Sequence, residues 1–248
     1  MTTRALLLRL DAPLIAFGGV VVDARNITDE MPSRSMLTGL LGNALGYDHR
    51  DVVQLGALQS RLRVAARRDR EGELLVDFQT VDLGQDFLTQ GWTTWGRVEG
   101  REGGSAASGT HIRYRHYLAD SIYTVALALS DEQSPTLDEL AAALDEPARP
   151  LFIGRKACLP STPLLMGIVK GTSLLDVLRD APLASRGRRS ASARCLVRVP
   201  RGTALPSGVE PSERAVTEDR DWPNQIHTGR SIVWEAHLEC GAQAGGAA

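Results

Sequence analysis

The chain has 248 residues, 28 Lys+Arg against 30 Asp+Glu, a formal charge of -2, 43% hydrophobic and 5% aromatic residues. That hydrophobic share excludes an intrinsically disordered chain, and the length predicts one large domain or two small ones. The longest apolar run, Leu14 to Val22, falls well short of the roughly 20 residues that span a bilayer, so a cytoplasmic protein with no membrane partner is expected.

In chain order, Arg4–Leu10 (RALLLRL) reads as a first strand ended by Asp11 and Pro13, and Arg9 and Asp11 interrupt the start before any signal-type apolar core forms. Residues 14–32 read as loop with extended pieces. Ser33 then caps a helix over 34–46, whose Met36, Leu37, Leu40, Leu41 and Ala44 make one apolar face. Gly39, Gly42 and Gly46 cost that helix propensity, which predicts close approach of another backbone. A second helix is predicted over 51–60. Residues 61–83 read as a strand pair turning at Glu71-Gly72-Glu73.

The stretch 84–112 is rich in Gly, Ser and Thr, with Trp92, Trp95, Arg97 and Arg101 among them; a loop this long implies function. Strands follow at 113–118 and 121–130, then a helix opened by a Thr136/Glu139 capping box and ended by Pro147 and Pro150. Beyond the 151–164 stretch, LLMGIVKG is strand-like, SLLDVLRD helix-like, 181–193 a basic loop, and 194–201 and 230–239 strands. The order strand–helix–strand–strand–helix–strand is ferredoxin-like for the first 170 residues.

Near-neutral net charge argues against a nucleic-acid binder only while the chain is summed as a whole. Residues 147–209 hold eleven basic side chains against Asp176 and Asp180, or +9, leaving 17 basic and 28 acidic residues, or -11, elsewhere. A segment so polarised is a candidate phosphate-facing surface. All basic residues but Lys156 and Lys170 are Arg, the better phosphate fork and base-stacking partner, although genome composition produces the same bias.

Catalytic signatures are absent: there is no GxSxG, HExxH or Walker A sequence, and no GxGxxG spacing. The histidines at 49, 111, 116, 227 and 237 lack metal-ligand spacing, and Cys158, Cys195 and Cys240 are too few and too dispersed for a zinc site or a disulfide framework. No metal and no cofactor are expected. One weaker constellation is Tyr47 with Arg115 and His116, which supplies a base, an acid and a cation for metal-free RNA cleavage.

Three motifs carry a family resemblance: Pro32-Ser33-Arg34-Ser35, Gly39-Leu40-Leu41-Gly42 and Gly154-Arg155-Lys156-Ala157-Cys158. With the opening LLLRLDAPLIAFG (6–18) they resemble the CasD family, the fifth family of Cas proteins, which in subtype I-E are subunits of the CRISPR RNA-guided surveillance complex Cascade. The match runs in order over roughly 4–170 and is loose beyond.

The resemblance implies an α+β fold: an RRM/ferredoxin-like domain over 1–170 with a long β-hairpin thumb at 84–116 and a small C-terminal β-rich region at 171–240; the tail GAQAGGAA (241–248) is expected to be disordered from its own composition. It implies no chemistry, but a subunit that caps the 5′ handle of the crRNA, joins the backbone subunits to the large subunit, and meets target DNA only indirectly. RALLLRL lacks the aromatics on which RRM domains stack bases, so phosphate contacts are expected instead. The expected RNA-binding residues are Ser33, Arg34 and Ser35 at a helix start, Arg97 and Arg101 in the thumb, Arg113, Tyr114 and Arg115 at its base, and Arg155 with Lys156 beside Gly154. The alternative is the endoribonuclease role of subtype I-C relatives, with Tyr47 and His116 in comparable places and Arg115 where a Lys is wanted.

Overall fold

The structure, a computed structural model, describes residues 2–20, 24–82, 90–92, 97–100, 109–184 and 193–241. The chain opens with β1 (Thr3–Asp11), short β2 (Leu14–Ile15) and β3 (Arg25–Asn26), then α1 (Arg34–Leu45) and α2 (Val52–Arg61). Ser33 caps α1 by accepting a hydrogen bond from Met36 N at 3.2 Å, and Gly46, at φ 87°, closes it in the left-handed conformation. A Cβ on Gly42 would lie 2.6 Å from Leu55 Cδ2, so this glycine lets α2 pack against α1. Gly39 sits beneath the Trp222 ring. Side chains, rather than the expected second backbone, approach these glycines.

β4 (Leu62–Arg70) follows, then β5 (Glu73–Asp82), β6 (Gln90–Trp92), β7 (Val98–Gly100), β8 (Thr110–Ala119) and β9 (Ile122–Leu129). The turn at 71–72 forms, but β4 and β5 do not pair across it. β4 pairs with β9 and β11, while β5 leaves the central sheet and pairs with β8. β5 and β8 thus form the two arms of a long hairpin, Glu73–Asp82 and Thr110–Ala119. Within its span, β6 pairs with β7.

α3 (Leu137–Asp145) carries the predicted capping box: Glu139 N donates to Thr136 Oγ1 at 3.2 Å, and Thr136 N to Glu139 Oε2 at 2.6 Å. Those bonds hold the Glu139 carboxyl below its ordinary range, the Thr136 backbone contact first. Thr136→Ala is expected to cost about 1 kcal/mol in chemical denaturation, with an unchanged m-value. The remaining elements are β10 (Leu165–Gly171), α4 (Leu174–Asp180), β11 (Ala193–Pro200), β12 (Ser212–Val216), β13 (Asp219–Asp221), β14 (Ile226–Thr228) and β15 (Ser231–Cys240).

The fold is mixed α+β and mostly sheet. Its main sheet has seven strands in the order β10-β1-β9-β4-β11-β15-β12, each paired antiparallel to its neighbours. The C-terminal strands expected to form a small region of their own continue this sheet, since Ala66–Arg68 of β4 pair with Leu196–Arg198 of β11. Leu6, Leu8 and Leu10 pack under α1 and α3 with Leu37, Leu41 and Leu140. Ala5 and Leu7 pack on the other face with Leu175, Leu178 and Val197. Covered on both sides, β1 needs the apolar run Ala5–Leu8 that RALLLRL supplies. No helix among the described residues is long and apolar enough to cross a membrane.

Candidate nucleic-acid interface

The β5–β8 hairpin is a two-faced arm. Side chains alternate along a strand and in-register partners share a face. One face therefore carries Leu74, Val76, Phe78 and Thr80 with His116, Tyr114 and Ile112; the other carries Leu75, Asp77, Gln79 and Val81 opposite Tyr117, Arg115, Arg113 and His111. Leu74, Val76 and Phe78 are 60%, 51% and 55% exposed, so the apolar face is not covered by this chain. Phe78 and Tyr114 lie ring to ring at 5.5 Å. Tyr114 thus faces away from Arg113 and Arg115, and the expected group of two forks and a ring is divided between faces. The other edge of β8 is held at its base by β2 and β3. Arg97 is exposed just before β7. Trp95 and Arg101 lie outside the described residues.

At the start of α1 the structure closes what the sequence left open. Ser35 N donates to Glu218 O at 2.8 Å, and Arg34 pairs with Glu218 at 3.0 Å and Asp219 at 3.2 Å. Ser33 and Ser35 are buried, their hydroxyls 3.2 Å apart. The segment leading into β13 thus occupies this helix start, because Glu218 supplies both the carbonyl and the carboxylate that the orphan N–H and the guanidinium need.

Gly154 has φ +85°, and a Cβ there would fall 1.5 Å from Ala16 O, so the loop fits against residue 16 only as glycine. Arg155 turns inward. It donates to His116 O at 2.8 Å, Asn26 O at 3.0 Å and Ile27 O at 3.3 Å, and lies 4.9 Å from the Tyr117 ring centroid. It therefore binds the loop to the arm's base rather than presenting a fork to solvent. Lys156, the next residue, is exposed. Burial pushes the Cys158 thiol above its ordinary range.

The possible cleavage trio does not converge. Arg115 and His116 are successive residues of β8 and point to opposite faces of the arm. Tyr47 packs against Gly42 just beyond the C-terminal end of α1, and its carbonyl accepts from Arg149.

Two clefts flank α1. One, of about 680 Å³, is lined by Arg34, Arg63, Arg198 and Arg201 together with Glu218 and Asp219. Its cations are largely balanced, Arg198 by Glu235 at 2.7 Å and Arg201 by Glu213 at 3.0 Å. The other, of about 340 Å³, lies between α1, the 16–19 loop, the 152–155 loop and the β13–β14 hairpin. Arg220, Trp222 and His227 line it, and sequence reading had missed all three. Burial first and the Arg220 guanidinium second push His227 below the ordinary imidazole value, so its ring is neutral at neutral pH. The one available signal was Trp222 followed by the turn formers Pro223 and Asn224, an aromatic out of place in a polar turn.

The family model described as CRISPR-associated protein (Cas_Cas5) matches residues 5–233. The chain is 33% identical over 162 residues to the CRISPR system Cascade subunit CasD of Escherichia coli (strain K12), covering 65% of this chain and 70% of that protein. Two solved structures are similar. A chain of a CRISPR RNA-guided surveillance complex matches with a TM-score of 0.66 and 23% identity, covering 97% of this chain and 91% of that one. A crystal structure of a Cas protein matches with a TM-score of 0.59 and 25% identity, covering 96% and 95%. The chain belongs to the Cas5 family of CRISPR-associated proteins.

Proposed function

We propose that this chain is a non-catalytic subunit of a Cascade-type surveillance complex that binds and caps the 5′ handle of the crRNA and bridges the backbone and large subunits. The succession β1, α1, β4, β9, α3, β10 with spatial order β10-β1-β9-β4 supports an RRM/ferredoxin-like core. The observation that carries the functional reading is the arm, the proposed thumb. It offers cationic side chains on one face for a phosphate backbone and exposed apolar ones on the other for a neighbouring subunit.

Arg113 and Arg115 on the arm, with Lys156 beside its base, are the proposed phosphate contacts, and Arg97 extends them. Ser33, Arg34, Ser35 and Arg155 act by positioning, since their polar groups are engaged within the chain.

The test is co-purification from the native host together with a salt titration. The chain is expected to travel with crRNA and other Cascade subunits; elution as an RNA-free monomer overturns the reading. In Arg115→Ala/Lys156→Ala, the slope of log K against log salt for single-stranded RNA is expected to weaken by about 1.4, two contacts at about 0.7 each. Specific metal-free cleavage of repeat RNA that disappears in His116→Ala would establish the endoribonuclease role instead.

A further inference from the structure

The β13–β14 hairpin stands apart from both packed faces of the main sheet. Its strands pair only with each other, Asp219 with Thr228 through Asp221 with Ile226, and neither hydrophobic cluster takes a side chain from it. What seats it on α1 and α2 is mostly polar. Ser35 N donates to Glu218 O at 2.8 Å, and Arg34 pairs with both Glu218 and Asp219. Gln59 of α2 clasps Arg220 twice, accepting from its N–H and donating to its carbonyl, each at 3.1 Å. Trp222, with its ring end over Gly39, is the one large apolar side chain buried there; Ile226 is 57% exposed.

The same seat strands polar atoms. Among the described residues six buried side-chain atoms have no hydrogen-bond partner, and four belong to this hairpin: Asp219 Oδ1, Arg220 Nε, Trp222 Nε1 and His227 Nδ1. Asp219 keeps its ion pair with Arg34. Whichever way these atoms point, each would regain water if the hairpin lifted, so closure is opposed by a desolvation cost that one buried ring does little to offset. A segment with few apolar contacts opens before the core does.

We infer that residues 218–228 form a strap that lifts from α1 and α2 as one unit while the main sheet stays folded, and that the closed strap masks Arg34 from nucleic-acid phosphate. The masking rests on the RNA-binding reading above; the lifting does not. In the closed chain Arg34 only holds the strap in place. Both of its counter-charges come from that strap, so lifting removes them together and leaves the guanidinium free. A phosphate-bearing strand meets this arginine only in the lifted state, the differential affinity that such an equilibrium needs.

Amide hydrogen exchange on the full-length chain tests the lifting. Ser35 is the second residue of α1, so its N–H has no acceptor within the helix, and its protection reports the bond to Glu218 O. Arg220 N–H reports the Gln59 clasp. The two are expected to share one protection level, about a hundredfold below the central amides of β1 and β9. Glu218→Gln, which weakens the pair with Arg34, should speed exchange at Arg220 about tenfold, and Gln59→Ala, which releases Arg220, should speed it at Ser35 as much. Acceleration confined to the contact that each change removes would mean independent contacts and no strap. Ser35 and Arg220 as protected as β1 and β9 would mean a hairpin that opens only with the whole fold. Either result overturns the inference.

The masking is read from the salt dependence of single-stranded RNA binding. Glu218→Gln/Asp219→Asn is expected to steepen the slope of log K against log salt by about 0.7, one added contact. Adding Arg34→Ala to that chain should abolish the gain, while Arg34→Ala alone leaves the slope unchanged. An unaltered slope in the double variant, or a gain that survives without Arg34 and so reflects only the lost negative charge, overturns the masking. If neither the chain nor its native complex binds RNA, the handle-binding reading falls and the masking with it, and the exchange measurements alone decide the strap.

Discussion

Arg67→Met is expected to destabilise the chain by about 3–5 kcal/mol, read as a lower urea midpoint at constant m-value. Arg67 and Asp69 have fully buried side chains at the centre of the main sheet. Arg67 Nε donates to Asp69 Oδ1 at 2.5 Å, and Nη2 to Asp69 Oδ2 at 3.2 Å. The remaining N–H groups reach the carbonyls of Leu178, Ala181 at 2.9 Å and Pro182 at 3.1 Å, beyond which Thr124 Oγ1 lies at 3.3 Å. Asp69 also accepts from Thr124 Oγ1 at 2.8 Å and Ala184 N at 3.3 Å.

Removing the guanidinium leaves a buried carboxylate whose nearest remaining cation is Arg9 at 3.7 Å, and three carbonyls with fewer donors. At that distance Arg9 is beyond hydrogen-bond reach of Asp69, so it is a poor substitute. The total stability of a domain is only about 5–15 kcal/mol, so the loss is a large share of it. Adding Asp69→Leu should recover part of it, because the stranded charge goes while the carbonyls of 178–182 stay short of partners. A loss below about 1 kcal/mol in Arg67→Met would mean that water or Arg9 replaces the guanidinium at little cost.

This network marks the limit of what the sequence made legible. RLRVAARRDR reads as a strand, and the strand is there. Its burial was hidden because it depends on β4 lying between β9 and β11, a placement that no local pattern encodes. The same cause explains the strand pair that does not form: Glu71-Gly72-Glu73 makes a plausible hairpin turn, yet β5 pairs with β8, further along the chain, rather than with β4.

Local signals, in contrast, were sufficient wherever the physics is local. Ser33 opens α1, and Thr136 with Glu139 opens α3. The apolar runs Ala5–Leu8 of β1 and Val125–Leu129 of β9 mark two strands that lie side by side in the sheet. For the candidate site, the sequence identified the chemistry of single residues but not which of them are already engaged. Glu218 closes the start of α1 from 183 residues beyond Ser35, and only the fold brings them together.

Arg155 separates these two kinds of knowledge, and its substitution by Lys is the decisive variant. As a phosphate contact Arg155 would act mainly through its charge, so Lys would preserve both stability and salt dependence, while Ala would weaken the log–log salt slope by about 0.7. As the clamp seen here it acts through a planar fork that reaches His116 O and Asn26 O at once while the guanidinium lies against Tyr117. A lysine ammonium has neither the planar fork nor the stacking surface. Arg155→Lys and Arg155→Ala are therefore expected to lose similar stability, about 2–3 kcal/mol, since hydrogen bonds from charged donors are lost either way.

The RNA salt slope should be unchanged in both variants if, as proposed, Lys156 and the arm's own arginines carry the phosphate contacts. Affinity should nevertheless fall in both, since His116 and Asn26 anchor the base of β8 and the arm's direction depends on that anchor. Affinity lost without a change in slope is the signature of a misdirected arm. A slope that weakens in Ala and returns in Lys would restore Arg155 to the RNA interface.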